Sequence, residues 1–396
     1  MRVDLLTREY PPEVYGGAGV HAAELTRALR RRAEVRVRCF GVERTEPGTR
    51  AYPLPGELHE ANAALRFLGA GLRIAADCAG ADVVHSHTWY ANAAGQVAGR
   101  LHGIPHVMTM HSLEPLRPWK AEQLGGGYSL SSWMERASAA EADALIAVSA
   151  AMRDDILAVY PGIPPERVHV IHNGIDGEVY RPDLGTAALT RFGIDPDRPI
   201  VVFVGRVTRQ KGLPHLLRAA FRLPPEAQLV LCCGQPDTPE IAAEVAGLVE
   251  ELTRVRQGVF RIDEMLDGPS VRQLLTRATV FVCPSLYEPM GIVNLEAMAC
   301  ETAVVATAVG GIPEVVEGGR TGLLVDYEPR PDGTGEPADP DRLARDLADS
   351  VNRLIEDPEL ARKLGRAGRE RALREFSWHE VATRTLAVYR ALTAAP

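Results

Sequence analysis

Short apolar runs alternate with amphipathic stretches along most of the chain. The first run, Val3 to Leu6, has the length of a buried strand. After it, apolar residues recur at spacings of four, three and four, as on one face of a helix, at Ala18, Ala22, Leu25 and Leu29. Because strand-length and helix-length segments continue to alternate, the pattern predicts an α/β fold with doubly wound parallel sheets.

The alternation occurs twice along the sequence. It fills about residues 1–175 and begins again with the apolar run at 199–204. The chain has 396 residues, which is more than one typical domain contains. We therefore predict two Rossmann-like domains, 1–175 and 176–376, with a final helix at about 377–396 that packs back on the first.

Three connections between the predicted elements are distinctive. Residues 43–57 are rich in Pro and Gly and predict a loop. Residues 205–212 predict a basic turn directly after a buried strand. Residues 112–128 are too many for a plain connection, and long ordered loops often carry function.

Composition narrows the class of protein. The net charge of -8 argues against non-specific nucleic-acid binding, which requires a basic face. The six cysteines show no metal or redox spacing and are typical of free thiols in a reducing compartment. The first residues are too few and too charged for a signal peptide, and no apolar run approaches membrane-spanning length. We expect a cytoplasmic enzyme without nucleic-acid or membrane partners.

The stretch 287–296 has the composition of a ligand site. An apolar run at 279–284 predicts a strand, a helix follows from about Leu295, and Gly291 lies in the loop between them. The N-terminus of a helix presents unpaired N–H groups that suit a phosphate. Glu288 and Glu296 should then lie at the carboxyl edge of the sheet, where open α/β folds bind ligands. The plain alternative is a strand–loop–helix corner with two solvated glutamates.

Two cations follow the strand at 199–204. Arg206 and Lys211 should lie at the same sheet edge as Glu288. A cation about 4 Å from a phosphate oxygen gains roughly 4 kcal/mol at an effective dielectric near 20, before desolvation is subtracted. Two such cations could stabilise a departing diphosphate without a metal. A solvated basic turn is the alternative.

A second phosphate-binding pattern follows the first strand. Gly16 and Gly17 precede the helix that begins near Ala18, and backbone without Cβ atoms can approach an anion closely. The spacing is not the GxGxxG dinucleotide fingerprint, so a tight turn without a ligand stays open as the alternative.

Histidines cluster near predicted strand ends. His85, His87 and His111 all occupy such positions. A zinc site needs further ligands at a recognisable spacing, and the sequence offers none, so we expect contacts with sugar hydroxyls and no metal.

The segment 112–128 combines cations with aromatic side chains. Arg117, Trp119, Lys120 and Tyr128 suit a sugar face or an anionic acceptor. A surface lid without ligand contact is the alternative.

Taken together, the motifs resemble a known family. The glycine loop, Gly205-Arg206 with Lys211-Gly212, and Glu288-Pro289-Met290-Gly291 with Glu296 are similar to the retaining glycosyltransferases of family four, whose fold is called GT-B. That resemblance covers essentially the whole chain. More narrowly, the stretches 6–17, 85–90 and 116–120 resemble the actinobacterial-type glycogen synthases, a group that includes maltose-1-phosphate synthases.

The resemblance implies an architecture and a role for each matching position. The first domain would take the acceptor and the second the nucleotide-sugar donor, facing each other across a cleft. The resemblance implies that Arg206 and Lys211 hold the donor diphosphate, surrounded by Gly16, Gly17 and the amides of Gly291, Ile292 and Val293. Glu288 would bind hydroxyls of the transferred glucose, Glu296 the ribose, and His111 the sugar beside the reacting carbon, while Asn173 would line the donor site. The candidates for the acceptor are His87, Trp119, Lys120 and Tyr128.

The implied function is an α-1,4-glucosyltransferase that retains configuration. It would move glucose from ADP-glucose to glucose 1-phosphate or to an α-1,4-glucan in glycogen biosynthesis, with no cofactor and no protein nucleophile. One departure is Tyr15, where longer bacterial glycogen synthases carry Lys before the Gly-Gly pair, and it favours a small acceptor.

Other interpretations of the same residues remain. An inositol phosphate or a lipid could be the acceptor on the same fold, although the basic patch at 27–32 is weak support for a lipid. A sugar-nucleotide epimerase or a non-catalytic binding module would be a different class of protein. The sequence also leaves open ADP against UDP as donor, and a monomer against a homodimer.

Overall fold

The computed structural model describes residues 1–14, 16–332 and 334–394, with the side chains of Glu122 and Gln123 left aside. Tyr15, which departs from the longer glycogen synthases, lies outside the described residues. The chain divides into two compact units, one of Met1–Gly174 with Trp378–Pro396 and one of Ile175–Ser377. The predicted boundaries, 175/176 and 376/377, lie within one residue of these.

Unit 1 is an α/β unit around one parallel sheet. Its strands are β1 (Arg2–Thr7), β2 (Glu34–Phe40), β3 (Thr49–Tyr52), β4 (Val83–His87), β5 (His106–Met110), β6 (Ala144–Ala147) and β7 (Val168–Val170). The helices before the second unit are α1 (Gly17–Leu29), α2 (Ala63–Ala76), α3 (Thr88–His102), α4 (Lys120–Leu124), α5 (Gly127–Glu141) and α6 (Ala150–Val159). The strand order is β3-β2-β1-β4-β5-β6-β7, with parallel pairing throughout.

Unit 2 repeats the architecture. Its strands are β8 (Ile200–Val207), β9 (Gln228–Pro236), β10 (Val259–Ile262), β11 (Val280–Cys283), β12 (Ala303–Thr307) and β13 (Gly322–Val325). Its helices are α7 (Ala187–Phe192), α8 (Leu213–Ala220), α9 (Pro239–Val255), α10 (Gly268–Arg277), α11 (Ile292–Ala299), α12 (Ile312–Val315), α13 (Pro340–Glu356) and α14 (Pro358–Glu375). The order β10-β9-β8-β11-β12-β13 is again parallel, so both sheets agree with the predicted doubly wound α/β class.

The last helix, α15 (Trp378–Thr393), belongs to the first unit. Its apolar face joins a core that includes Val3 and Leu25, and Tyr389 is fully buried there. The tyrosine hydroxyl also pairs with His85 Nδ1 at 2.5 Å. The helix therefore completes the core beside the central strands of this sheet.

The core of unit 2 lies between its sheet and long amphipathic helices. Helix α13 buries Leu343, Leu347, Val351 and Leu354, whose spacings of four, four and three define one face. Strands β8 and β11 are almost wholly buried near their starts, as expected for parallel strands covered on both sides. Their carboxyl ends are thereby fixed as neighbours.

Three predicted connections are wrong in part. Residues 43–57 contain strand β3, which pairs with β2 and buries Tyr52. Residues 112–128 are largely helical, with a 3-10 turn at Glu114–Leu116, then α4 and the start of α5. Residues 205–207 belong to β8, so only the turn after Val207 is irregular. For β3 and the end of β8, pairing with neighbouring strands supplied hydrogen-bond partners that local composition did not indicate. The helical turns within 112–128 instead form local backbone hydrogen bonds.

Among the described residues, we find no helix that combines the length and the apolar character needed to cross a membrane.

Candidate active site

A largely buried ion pair lies at the carboxyl edge of the unit 2 sheet. Lys211 Nζ is 2.6 Å from Glu288 Oε2, and the two side chains are 18% and 8% exposed. Ser285 Oγ donates to the same carboxylate oxygen at 3.0 Å. The structure thus brings together the two residues that the sequence places after β8 and after β11, which are adjacent strands.

The turn that carries Lys211 is fixed to the end of β11. Thr208 caps it by accepting from the Lys211 N–H at 3.3 Å, and the Leu286 N–H donates to the Gln210 carbonyl at 2.8 Å. Gly212 has φ +62, and a Cβ there would lie 1.9 Å from the Pro284 carbonyl oxygen. Only glycine fits this close crossing of two backbones, which sets the reach of Lys211.

Arg206 lies on β8 itself and not in the turn. Its guanidinium pairs with Asp237 at 3.2 Å and is about one quarter exposed. Its charge is therefore balanced by a carboxylate in this structure, so an anion that uses Arg206 must compete with Asp237 or share the guanidinium with it.

The start of α11 lies beside Glu288. Gly291 caps the helix with φ +90, and the predicted amide donors Ile292 and Val293 form its first turn. The Gly311 N–H donates to the Glu288 carbonyl at 3.0 Å, which holds the loop after β11 against the loop after β12. The helix N-terminus and the Lys211–Glu288 pair are thus held on one side of the sheet, as an anion site requires.

Glu296 is buried on α11. Burial raises the pKa of its carboxyl to about 7, against the opposing effects of a hydrogen bond from Tyr180 and the charge of Lys211. Near neutral pH this glutamate is therefore present in both forms, and hydroxyl donors of a bound ligand would favour the ionised one.

Asn294 is a polar residue that was not among those predicted from the sequence. Both atoms of its amide group are buried without a hydrogen-bond partner among the described residues. A Cβ on Gly291 would lie 2.5 Å from the Asn294 nitrogen and 3.3 Å from Glu288 Cγ, so the amide is next to both. An unpaired buried amide beside Glu288 marks a contact point for ligand hydroxyls. Its sequence signal was one asparagine in a helix where every other residue except Glu296 is apolar.

In unit 1 the glycine loop holds a carboxylate. The Gly16 N–H donates to Glu9 Oε2 at 2.8 Å, and Gly16 caps α1, which begins at Gly17. Gly19 also matters, since a Cβ there would lie 2.8 Å from Glu9 Cβ. The loop therefore does present an anion-binding amide, and an incoming phosphate would have to displace the Glu9 side chain from it.

Imidazoles that are buried or partly buried gather beside β4 and β5. His87 Nδ1 lies 3.1 Å from His111 Nε2, and His21 on α1 packs against His111 with ring centroids 4.7 Å apart. His21 Nδ1 pairs with Asn173 Oδ1 at 2.6 Å. Burial lowers the pKa of His21 to about 4 and those of His87 and His111 well below the ordinary value, so the rings are neutral at pH 7. His21 was missed because nothing in a helical pattern marks it.

The cluster differs from the predicted trio of histidines. His85 has both nitrogens occupied, by Tyr389 and by Thr109 Oγ1 at 2.7 Å. Instead, one nitrogen each from His21, His87 and His111 lies within 4.8 Å of the others. The Nε2 atoms of His21 and His87 are buried without a partner among the described residues, and hydroxyl donors would satisfy them.

The segment 112–128 is tied to α5 by buried carboxylates. The Glu114 N–H donates to Glu135 Oε1 at 2.9 Å, and the Tyr128 hydroxyl donates to the Glu114 carbonyl at 2.7 Å. Burial raises the pKa of Glu135 to about 8, and nearby Glu114 adds to this. Of the predicted acceptor contacts, Trp119 is partly exposed whereas Lys120 is only 9% exposed.

Comparison with known proteins matches both units. Residues 15–179 match the model for Glycosyltransferase Family 4, and residues 188–371 match that for Glycosyl transferases group 1. An alpha-maltose-1-phosphate synthase of Mycolicibacterium smegmatis is 55% identical over 397 residues, with 100% of each chain covered. A D-inositol 3-phosphate glycosyltransferase of Catenulispora acidiphila is 35% identical over 78% of this chain and 72% of its own.

A solved structure resembles the whole chain. Sucrose-phosphate synthase of Thermosynechococcus elongatus superposes with a TM-score of 0.77 at 27% identity, with 100% of both chains covered. This likeness confirms the predicted GT-B fold. With identity spanning the whole chain, and with Lys211, Glu288 and Glu296 brought to one sheet edge, the protein belongs to the family 4 glycosyltransferases and is a hexosyltransferase.

Proposed function

We propose that the protein transfers glucose from ADP-glucose to glucose 1-phosphate and forms maltose 1-phosphate. The observation that carries this proposal is the 55% identity, over the full length of both chains, to an alpha-maltose-1-phosphate synthase. The Lys211–Glu288 pair supports it, because a nucleotide-sugar donor needs a cation for its diphosphate and a hydrogen-bond acceptor for the hydroxyls of its sugar.

The proposed step exchanges one bond for another. The C4 hydroxyl oxygen of glucose 1-phosphate forms a bond to the anomeric carbon of the donor. The bond from that carbon to the β-phosphate oxygen breaks, and its electron pair leaves with ADP. The hydroxyl proton passes to a phosphate oxygen of the departing ADP, on the face from which attack occurs, so the α configuration is retained.

The residues of unit 2 fit the demands of this step. Lys211 would stabilise charge that develops on the leaving diphosphate, and Arg206 would contribute once its pairing with Asp237 is shared. Glu288 would accept hydroxyls of the transferred glucose and keep Lys211 in position. Glu296 would accept the ribose hydroxyls in its ionised form.

A second candidate exists for the acceptor substrate. The 35% identity to a D-inositol 3-phosphate glycosyltransferase favours an inositol phosphate as the second candidate. We also propose a cytoplasmic location, supported by six buried free thiols.

Product analysis separates these acceptors. ADP-glucose and UDP-glucose are each supplied with glucose 1-phosphate, inositol phosphate or glycogen, with and without EDTA, and products are identified by NMR. Maltose 1-phosphate from ADP-glucose, at rates that EDTA leaves unchanged, is expected. Faster transfer to inositol phosphate or glycogen would replace this proposal, and loss with EDTA that zinc restores would assign a metal to His21, His87 and His111.

A further inference from the structure

One arginine of unit 1 rests on aromatic rings. Arg8 directly follows β1, and its guanidinium carbon lies 4.2 Å from the centroid of Tyr90 and 5.1 Å from that of Phe67. The ring of Tyr90 stacks on Trp89 at 3.9 Å and meets Phe67 edge to face at 4.7 Å. These rings form a platform that orients the guanidinium, because cation–π attraction acts on its planar face.

The guanidinium of Arg8 forms no ion pair with a carboxylate of the described residues. Within the described part of the chain, we find no acid within 4.0 Å of its guanidinium and no hydrogen bond from its nitrogens. Other arginines of the same unit are paired: Arg38 with Asp4 at 2.6 Å and Arg50 with Asp77 at 2.6 Å. A stacked guanidinium keeps its in-plane N–H groups available, and two of them match two oxygens of a phosphate.

The surroundings of the platform also suit a phosphorylated sugar. Glu114 and Arg117, whose charged groups are 3.7 Å apart, both lie close enough to act on the Tyr90 hydroxyl electrostatically, and so does Glu9. The nearby Glu9 carboxylate accepts from the Gly16 N–H. A second cation near Arg8 strengthens attraction for a dianion, and the carboxylates of Glu114 and Glu9 offset part of that gain.

Unpaired hydrogen-bonding atoms immediately precede the platform. Thr88, in a left-handed conformation with φ +64, has a buried hydroxyl without a partner among the described residues, and His87 Nε2 shares that property. A buried polar atom without a partner is costly unless a ligand or water completes it. Sugar hydroxyls have the chemistry to do so, beside a guanidinium that suits phosphate.

We propose that Arg8 binds the phosphate of the sugar-phosphate acceptor and that Thr88 contacts a hydroxyl of its sugar. The proposal deepens, and rests on, the proposed transfer to glucose 1-phosphate. It gives the enzyme a means to prefer a phosphorylated sugar over a neutral glucan, because a neutral glucan end gains nothing from the guanidinium.

The test compares Arg8→Gln and Arg8→Lys with Arg50→Gln, a matched control since Arg50 also lies over a tyrosine ring, 5.1 Å from the centroid of Tyr52. Arg8→Gln should raise the KM for glucose 1-phosphate about 10–100-fold, the range for a charge-assisted bidentate contact. The KM for ADP-glucose and the rate with a neutral maltooligosaccharide should not change. The KM of Arg8→Lys for glucose 1-phosphate should lie between those of the wild type and Arg8→Gln, because lysine keeps the charge without the planar pair of donors.

Direct measurement of ligand binding tests the role of Arg8 without relying on catalysis. Calorimetry with glucose 1-phosphate, inorganic phosphate and glucose should show that the wild type prefers the sugar phosphate and that Arg8→Gln loses this preference. Equal affinity in Arg8→Gln, or an equal rise in KM for the neutral acceptor, would overturn the assignment of Arg8. A wild type that binds no sugar phosphate would do the same. If binding depends on Arg8 but no maltose 1-phosphate forms, the proposed function fails and this site stands.

Discussion

At the scale of single residues, the ion pair of Lys211 and Glu288 is the most informative feature. Removing two charges from water costs several kcal/mol per ion, and a buried pair is seldom retained for stability alone. Lys211 and Glu288 are largely buried and joined at 2.6 Å, so each is held in one position before a ligand arrives. Such preorganisation suits a site that must meet charge as it develops on a leaving group.

Glu288→Gln should abolish most transfer while the fold persists. The change keeps the shape of the side chain but removes its charge, so Lys211 loses its partner and the sugar hydroxyls lose a strong acceptor. We expect kcat/KM for transfer to fall by at least about 100-fold, in line with loss of one preorganised charged contact. Initial rates with saturating acceptor, and far-UV circular dichroism, measure the two effects.

The control for this change is Glu264→Gln. Glu264 pairs with Arg191 at 2.7 Å in the same unit, but both side chains are about half exposed. An exposed pair contributes little, so transfer should stay near that of the wild type. Near-normal transfer by Glu288→Gln would remove Glu288 from the catalytic role.

Glu296 should make stability depend on pH. Burial raises its pKa from 4.5 to about 7, so between these values the folded protein binds the proton that the unfolded chain releases. The free energy of unfolding therefore falls as pH rises from about 4.5 to 7, by on the order of 3 kcal/mol for this group. Urea unfolding at several pH values, followed by circular dichroism, measures the fall.

Glu296→Gln isolates that contribution. Glutamine does not titrate, so the free energy of unfolding of the variant should rise relative to that of the wild type between about pH 4.5 and 7. Contributions of other groups, such as Glu135, are the same in both proteins and cancel in the difference. A difference between the two proteins that is constant from pH 4.5 to 8 would show that Glu296 does not carry the shifted pKa.

At the scale of elements, the site depends on where backbones cross. The turn after β8 and the segment after β11 come together at Gly212, and the loops after β11 and β12 come together at Gly310. A Cβ on Gly310 would lie 2.1 Å from the Glu288 carbonyl oxygen, and Gly310 has φ +54. These crossings place Lys211 and Glu288, because their side chains start from backbones that are nearly in contact.

Gly212→Ala should impair both stability and transfer. A left-handed non-glycine residue costs about 1–2 kcal/mol, and the clash with the Pro284 carbonyl adds to that cost and moves the turn that carries Lys211. The matched control is Gly193→Ala, since Gly193 has φ +70 but a Cβ there would enter open space. Gly193→Ala should lose only the stability that a left-handed backbone costs a non-glycine residue, and it should keep full transfer.

Thermal unfolding and initial rates distinguish the two glycine variants. If Gly193→Ala and Gly212→Ala lose equal stability and both keep full activity, the close crossing at Gly212 does not position Lys211.

Much of this element structure could be predicted from sequence, and the failures have a common cause. Buried parallel strands such as β6 and β11 are continuous apolar runs, which local composition identifies. Strand β3 is not such a run, since only Tyr52 of its residues is fully buried, and it forms because β2 offers an open edge. Its existence depends on a distant partner, which no local pattern contains.

The candidate site divides in the same way. Glu288 and Lys211 follow strand ends, so their meeting could be predicted from the parallel topology. The pairing of His21 with Asn173, the unpaired amide of Asn294 and the stacking of Arg8 depend on how helices and loops pack. Sequence spacing carries no information on such contacts between distant segments.

At the scale of the whole molecule, the two units have separate cores. A core cluster of unit 1 contains Val3, Leu25 and Tyr389, and the core of unit 2 contains Val201, Leu229 and Leu347. All four tryptophans, Trp89, Trp119, Trp133 and Trp378, belong to unit 1. Tryptophan fluorescence therefore reports the unfolding of that unit alone.

Tyr389→Ala should destabilise unit 1 selectively. Its side chain is fully buried on α15, and a large-to-small change in a core costs about 3–5 kcal/mol. Tyr389→Phe keeps the ring and removes the hydroxyl that pairs with His85, so it should cost about 1–3 kcal/mol. The urea midpoint from tryptophan fluorescence should fall in that order.

Hydrogen exchange decides whether the cores are also separate in energy. Peptides from β8, β11 and β12 should keep wild-type protection in Tyr389→Ala, because the contacts of Tyr389 lie in unit 1. A loss of protection in those strands equal to the loss in unit 1 would mean that the chain unfolds as one cooperative body. Selective loss would instead mean that α15, although last in sequence, stabilises only the unit formed by the beginning of the chain.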